Sequence, residues 1–174
     1  MKDFVGPGAL VELVLGGLLL RPMQYREVVR EPASMRLCFA VAVLAGAATG
    51  IGRSEQIGLA PVIAVLLHVI VTLLTVAIES GVVWLVAGAG LRRGIGYGAV
   101  VRPMALATAP RLVYALLGLG TGIPALEILG TVWLLAAFVL AVDAAIERGW
   151  AAAVAVALAV GVLRWGTSLS IQMM

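Results

Sequence analysis

The chain has 174 residues, of which 63% are hydrophobic and 12% are charged, and its mean hydropathy is +1.13. Soluble domains carry about 25% charged residues, so this composition indicates an integral membrane protein built from apolar helices, an all-α fold. A single Cys and a single His exclude a disulfide framework and a Cys/His metal site. The net charge of +3 is explained by membrane orientation, and nucleic acid is not expected as a partner.

The N-terminal lead-in, residues 1–34, begins with an apolar run over residues 9–20. In a helix, Gly8, Glu12 and Gly16 lie on one side of this run, and leucine and valine residues lie on the other. We therefore expect an N-terminal amphipathic helix in the membrane interface. A sixth membrane span is the alternative.

The most polar part of the chain follows, RPMQYREVVREPASMR at residues 21–36. Pro22 and Pro32 interrupt it, and Arg and Glu residues recur between them at a spacing of four, which predicts a short surface helix. We place this helix on the cytoplasmic side, with the membrane bundle of residues 35–174 after it.

Five transmembrane helices account for the rest of the chain, and the protein is predicted to be multi-pass. The spans are predicted at residues 37–52, 57–79, 103–122, 125–146 and 150–171. Apolar character continues past Glu79 to Leu91, so the second helix either runs on beyond the bilayer or is followed by a short cytoplasmic helix. With the N-terminus inside, nine of the twelve basic residues fall on the cytoplasmic side and only Arg53 falls outside, which favours this orientation.

Charged residues within or at the ends of these spans each cost about 2.5–3.5 kcal/mol unless they are paired. Four share the inner half of the membrane and are predicted to form an intramembrane charge cluster: Glu79, Arg102, Arg111 and Asp143. Glu127 and Arg164 form the predicted outer pair. Either structural pairing between helices or a polar pathway or lipid-headgroup site would explain both groups.

His68 lies in the middle of the second span, in the sequence LLHVIVTLL. One interpretation is a neutral His that is hydrogen-bonded to a neighbouring helix. The other is a possible ligand, with one ring nitrogen bound to a haem or a chlorophyll-type pigment. Cys38, in the first span, is expected to be a small buried apolar residue.

Basic residues at the cytoplasmic ends of the spans are candidates for lipid-headgroup binding: Arg92, Arg93 and Arg148. The first two precede a Gly-rich stretch, residues 94–98, that lacks the Lys-Ser/Thr of a phosphate-binding loop. Small-xxx-small pairs, which allow helices to approach closely, occur at Gly46 with Gly50 and at Gly118 with Gly122.

Two short motifs mark the lead-in and the start of the third span. The first is RPMQYREV at residues 21–28, followed by Pro32; the second is RGIGYG at 93–98, followed by RPMALATAPR at 102–111. Their order resembles the Yip1 domain family over about residues 20–171. The resemblance implies a five-helix bundle with the N-terminus inside, in a prokaryotic plasma membrane, with no catalytic residues. The Asp-Leu-Tyr-Gly-Pro type signature of the eukaryotic, GTPase-associated relatives is absent from the sequence.

We therefore expect a non-enzymatic accessory or scaffold subunit that acts through helix packing, in a homo-oligomer or a larger membrane complex. No reactive constellation is present in the sequence, so no enzymatic activity and no cofactor are expected. Membrane lipids and other membrane subunits are the expected partners. The alternatives are a small transporter or lipid-handling protein that uses the inner charge cluster, and a haem- or pigment-associated subunit that uses His68.

Overall fold

The computed structural model describes residues 7–54, 58, 60–91, 95–119, 124–147, 149 and 152–158. Within these residues the chain is helical apart from turns and short connections and has no strand, which confirms the all-α prediction. The α-helices are α1 (Pro7–Leu18), α2 (Pro22–Arg30), α3 (Met35–Arg53), α4 (Pro61–Leu91), α5 (Tyr97–Leu106) and α6 (Pro124–Ile146). Two 3₁₀ helices cover Pro32–Ser34 and Ala109–Leu119, the second of which we call the 3₁₀ segment. Residues 152–158 are also helical.

Three helices among the described residues are long and apolar enough to cross a membrane. They cover Pro32–Arg53, Pro61–Val86 and Ile128–Ile146, and they correspond to the predicted first, second and fourth spans. This architecture is compatible with a membrane protein. The predicted third span is broken, and most of the predicted fifth span lies outside the described residues, so the count of five stays a prediction.

The lead-in folds as two helices, α1 and α2, that pack on each other. The predicted surface helix is confirmed, since α2 spans nine residues from Pro22, and a proline fits the first turn because its missing N–H needs no partner there. Gln24, on the buried side of α2, donates from Nε2 to the backbone oxygen of Glu12 in α1 at 3.1 Å. Its side chain lies against Gly16, where a Cβ atom would overlap it.

Helix α1 has 12 residues and is about 18 Å long, which is short of the roughly 30 Å hydrocarbon core. This length favours the interfacial placement over a sixth span. Its buried residues are Leu13, Gly16 and Gly17. The exposed side of α1 carries Val11 and Leu15 beside Glu12, and exposed Leu19 follows directly after the helix. It is therefore more apolar than an amphipathic helix would require.

Helix α4 is continuous over 31 residues, or about 46 Å, so the second predicted helix does run on past Glu79. Two aromatic residues attach its C-terminal part to the start of α5. Trp84 Nε1 donates to the Ile95 carbonyl at 2.7 Å, and the Tyr97 hydroxyl donates to the Ala77 carbonyl at 2.8 Å. The two rings pack edge to face with their centroids 6.2 Å apart.

Helices α3 and α4 approach each other closely at one of the predicted glycine pairs. A Cβ atom at Gly46 would lie 2.7 Å from Cα of Val69, and one at Gly50 would lie 2.6 Å from Cα of Val65. Both positions therefore require glycine, as the small-xxx-small spacing predicted.

The predicted third span is interrupted at Thr108, between the end of α5 and the start of the 3₁₀ segment. Pro110 explains the break, because a proline disfavours α-helical backbone at the preceding residue and has no N–H to donate. At the break, the Thr108 side-chain hydroxyl donates a hydrogen bond to the Ala105 carbonyl at 2.7 Å. Residues 101–110 are all buried, so the break itself lies inside the bundle, where a membrane protein can tolerate irregular backbone.

Two helices end on a residue with left-handed backbone that is not glycine. Leu20 follows α1 with φ of 52°, and Glu147 follows α6 with φ of 49°. The Arg21 N–H donates to the Gly16 carbonyl at 2.9 Å, and the Glu147 N–H donates to the Asp143 carbonyl at 2.9 Å. These bonds satisfy carbonyls that have no partner within the helix.

Candidate functional site

One side of α4 carries polar residues in a row that we call the polar flank: His68, Thr72, Thr75 and Glu79. Spacings of four, three and four residues place them on the same side of the helix over about 16 Å. Thr72 is only 1% exposed, and the other three are half-buried. Polar groups in so apolar a helix are costly, so this row is the first place to look for a function.

Arg111 reaches the polar flank from the 3₁₀ segment. Its Nη1 atom donates to Oγ1 of Thr72 at 3.2 Å. Helix α4 packs against α3 and α5, and the 3₁₀ segment packs against α3 and α6, so the Arg111 side chain links two elements whose common neighbour is α3. From the sequence, Arg111 was predicted to lie among acids, and a hydroxyl partner on α4 was not foreseen.

His68 has its partner in its own helix, which differs from the predicted bond to a neighbouring helix. Its Nδ1 atom lies 2.9 Å from the Ala64 carbonyl oxygen, one turn earlier. That oxygen can only accept, so in the neutral ring Nδ1 carries the proton and Nε2 carries a lone pair. No group of three or more His, Cys, Asp or Glu that could hold a metal ion occurs among the described residues. A ligand that needs one nitrogen is therefore the case to consider.

Arg102 is 7% exposed and donates to the end of α2 instead of to a carboxylate. Its Nε atom lies 2.6 Å from the Val28 carbonyl oxygen, and Nη2 donates to the Val29 carbonyl. The last carbonyls of a helix lack partners within it, and the planar fork of a guanidinium can serve two of them together. Arg102 thus caps α2 and holds it against α5, a role that sequence analysis did not assign.

Asp143 pairs with Arg26 of α2, with Oδ2 and Nη2 3.4 Å apart, and one turn further Arg30 pairs with Glu147 at 3.7 Å. The spacing of four residues on both chain segments sets the two pairs side by side. Arg102 and Asp143 therefore have partners outside the predicted inner cluster, because α2 folds back over α5 and α6. The remainder of that cluster stays a prediction.

A second arginine contact joins Arg53, the last residue of α3, to Tyr114 of the 3₁₀ segment. The Arg53 guanidinium carbon is 5.5 Å from the centre of the Tyr114 ring, within the range of a cation–π interaction. Gly52 packs against the Tyr114 carbonyl, and a Cβ at Gly130 would lie 3.0 Å from the ring. Tyr114 is therefore held between α3 and α6. From the sequence, Arg53 was predicted only as an outer charge, because no sequence pattern links it to a tyrosine so distant in the chain.

The other predicted site residues lie outside the described side chains: Glu127, Arg164, Arg92, Arg93 and Arg148. The outer pair and the headgroup contacts therefore stay predictions, as does the second glycine pair, since Gly122 is also outside the described residues. Cys38 is a buried free thiol, as expected.

Comparison of the chain with protein-family models, with curated proteins and with solved structures finds no match. The resemblance to the Yip1 domain family therefore rests on the two short motifs quoted above and stays a prediction.

Proposed function

We propose that this protein is a non-enzymatic integral membrane subunit that acts through helix packing, in a homo-oligomer or a larger membrane complex. The observation that carries the proposal is the outward face of α4. Only 17% of its most apolar 18-residue window is buried within the chain, against 50% for the span that contains α3. The large exposed residues of α4 are Val62, Ile63, Leu66, Leu67, Ile70, Val71, Leu74, Ile78, Trp84, Leu85 and Val86.

The length of this face supports a protein partner in addition to lipid. From Val62 to Val86 it extends about 36 Å, which exceeds a hydrocarbon core of about 30 Å. A helix that is too long for the bilayer tilts or deforms it, and the cost of that mismatch promotes association with other helices. The face of α4 is therefore suited to packing against another membrane helix.

The paired charges at the ends of α2 and α6 favour the scaffold over the transporter. The Asp143 side chain is 16% exposed and forms an ion pair with Arg26. Arg102 donates its hydrogen bonds to backbone carbonyls. Structural pairing that fixes α2 on the bundle accounts for both.

The proposal includes a multi-pass arrangement with five spans and the N-terminus inside, in a prokaryotic plasma membrane. The bias of basic residues toward one side and the Yip1-like motifs support this arrangement. Lipid headgroups at the Arg-rich cytoplasmic ends are part of the same proposal.

A comparison of two matched triple variants tests the proposal. Leu66, Ile70 and Leu74 on α4 are replaced by Ala in one variant, and Leu129, Val132 and Leu135 on α6 are replaced by Ala in the other; all six are exposed. Chemical cross-linking in native membranes, followed by extraction in a mild detergent, reports the assembly. We expect the α4 variant to lose most cross-linked product and the α6 variant to retain it. Equal cross-linking in both variants and the wild type would contradict the role of α4.

A further inference from the structure

The exposed face of α4 carries apolar residues at the spacing of a coiled coil. The residues at its centre follow one another at intervals of four, three, four and three, and all are exposed: Ile63, Leu67, Ile70, Leu74 and Ala77. We call this row the α4 seam. A repeat of this kind averages 3.5 residues and keeps its members on one side of a helix that winds left-handedly around a partner. In heptad notation the two leucines of the seam occupy a positions, and the isoleucines and the alanine occupy d positions.

The polar residues of α4 lie away from the seam in the same heptad. His68 and Thr75 occupy b positions, and Thr72 and Glu79 occupy f positions. In a coiled coil these positions lie on the side away from the partner helix. Thr72, which is 1% exposed, is bound there by Arg111 of the same chain. Helix α4 therefore turns its polar flank toward its own chain and its apolar seam outward.

The width of the exposed face favours an assembly of more than two helices. Val71 and Ile78 at e positions and Leu66 at a g position are exposed beside the seam. A two-stranded coil uses a narrow a and d stripe, whereas a helix in a larger bundle packs against two neighbours and also buries its e or g side chains. The identities at a and d agree with this, because leucine at a with isoleucine at d shifts the preference to three or four strands.

The area and the direction of the face also fit a contact between copies of the chain. Seven large residues of the seam and its flanks are 45–66% exposed and offer on the order of the 800 Å² per partner of a standard interface: Ile63, Leu66, Leu67, Ile70, Val71, Leu74 and Ile78. Copies that insert in one orientation are related by rotation about an axis normal to the membrane, so their α4 helices are parallel. Near Ala77 the seam ends, because Tyr97 of α5 donates to the Ala77 carbonyl and packs on Trp84 beyond it.

We propose that the partner of the α4 face is the chain itself, and that three or four copies pack their α4 helices in parallel as a left-handed coiled coil through the α4 seam. The inference rests on the proposed function, which requires an assembly and leaves its partner open. A second copy is the occupant that the pattern specifies, since one heptad stripe supplies both sides of every contact in a rotationally symmetric bundle.

Single cysteines test the seam in a Cys38→Ala background, which removes the only cysteine of the chain. Four variants carry the new cysteine on the seam: Ile63→Cys, Leu67→Cys, Ile70→Cys and Leu74→Cys. Each is expected to form a disulfide between two copies when native membranes are oxidised with copper phenanthroline. Val62→Cys is the matched control, because Val62 is 71% exposed, more than any of those four, but occupies a c position. We expect it to react about tenfold more slowly, since cysteines with Cα atoms more than about 7 Å apart are not bridged without movement of the backbone.

An exchange of leucine with isoleucine tests the packing at constant composition. The variant that combines Ile63→Leu, Leu67→Ile, Ile70→Leu and Leu74→Ile has isoleucine at a and leucine at d, the arrangement that favours two strands. Native mass spectrometry of protein in lipid nanodiscs is expected to give three or four chains for the wild type and two for this variant. A wild type of two chains, or a variant with the stoichiometry of the wild type, would overturn the proposed packing.

The cysteine variants can also contradict the proposal. Equal reaction at Val62 and at the seam would mean that no particular stripe of α4 faces another copy. Reaction at one seam position alone would mean that the helices cross or are antiparallel. An assembly with a different protein and no disulfide between copies would overturn this inference and leave the proposed function intact, whereas recovery of only a single chain would overturn both.

Discussion

The contact between α3 and α4 consists of backbone against backbone, whereas α2 is joined to α5 and α6 by a buried arginine and two ion pairs. At Gly46 and Gly50 the two helices touch without intervening side chains. At the contact of α2 with α5 and α6, Arg102 donates to two backbone carbonyls of α2. Arg26 and Arg30 of α2 form ion pairs with Asp143 and Glu147. Helices in lipid gain little from hydrophobic burial against one another, so close packing of the kind seen between α3 and α4 suits candidate membrane spans, whereas polar contacts hold α2 on α5 and α6.

The largest effect is expected where backbones touch. Gly50→Ala places a Cβ atom 2.6 Å from Cα of Val65 and 2.7 Å from the Ala64 oxygen, and neither backbone atom can move aside unless the helices separate. We expect a loss of about 3 kcal/mol or more in the free energy of unfolding, at or above the upper end of the usual cost of overpacking, because only backbone atoms face the new Cβ. Gly81→Ala in α4 is the matched control, since no atom lies within 4 Å of the new Cβ, and it should gain up to about 1 kcal/mol.

Unfolding of both glycine variants in mixed micelles by increasing SDS, followed by far-UV circular dichroism, gives the comparison. If Gly50→Ala proved as stable as Gly81→Ala, close contact between α3 and α4 would not be what holds them together.

Removal of the α2 cap is expected to rank next. Arg102→Met leaves the Val29 carbonyl without its arginine donor and the Val28 carbonyl with the Ser34 hydroxyl as its side-chain donor, which should lower stability by about 1.5–3 kcal/mol. Arg102→Lys should recover only part of this, because an ammonium lacks the planar fork. Hydrogen exchange of the α2 amides is the measurement, with exposed Arg36→Met as control. Unchanged protection of α2 in Arg102→Met would refute the capping role.

Alkaline pH should destabilise the packing of α2. Burial raises the pKa of Tyr25 well above its ordinary value of 10.0, so the folded chain keeps the phenol protonated at a pH where the unfolded chain ionises it. Below pH 10 the phenol is protonated in both the folded and the unfolded chain, and the free energy of unfolding does not depend on it. Above pH 10 the free energy of unfolding declines by about 1.4 kcal/mol per pH unit until the raised pKa of Tyr25 is reached. Unfolding at pH 9 and pH 11 should show this decline in the wild type and a smaller one in Tyr25→Phe. Equal declines would place the titrating group elsewhere.

At the end of α6, a substitution by glycine is expected to be less destabilising than one by alanine, and this difference is smaller than the losses above. Glu147 has φ of 49°, a conformation that glycine adopts without the strain that a Cβ atom brings. Glu147→Gly and Glu147→Ala both remove the pair with Arg30, so their difference isolates the backbone term. The Gly variant should be more stable than the Ala variant by about 1 kcal/mol in the same unfolding assay. A more stable Ala variant would mean that this backbone conformation does not persist in solution.

The ion pair between Arg26 and Asp143 should contribute least. Arg26 has side-chain exposure of 58%, and exposed pairs are worth about 0.2–1 kcal/mol. A double-mutant cycle of Arg26→Gln and Asp143→Asn should give a coupling energy of this size that declines as salt is added. A larger coupling that is insensitive to salt would mean that the pair is shielded from solvent.

The same contrast explains how much of the fold could be predicted from the sequence. Hydropathy and proline positions predicted α2, α3, α4 and α6, and the spacing of Gly46 and Gly50 predicted a close contact, because these signals are local. The break at Thr108 was missed, although Pro110 was visible, because the apolar run continues across it.

The candidate site was predictable only in part, because its contacts join distant segments. Arg26 and Asp143 are 117 residues apart, and Arg102 lies 74 residues from the Val28 carbonyl that it binds. The sequence suggested acids as partners for Arg102, since charge pairing is the usual solution in a membrane. It could not show that α2 folds back and offers its terminal carbonyls. His68 was predictable as a candidate residue, but its hydrogen bond to the Ala64 carbonyl in the same helix was not.

The central claim, that the chain works as a packed subunit through the outward face of α4, is tested most directly by native mass spectrometry of the protein extracted in nanodiscs of native lipid. We expect an assembly heavier than one chain, either a homo-oligomer or a complex with another membrane protein. Replacement of Leu66, Ile70 and Leu74 by Ala should convert it to the single chain. A wild-type protein recovered only as one chain with bound lipid would contradict the claim.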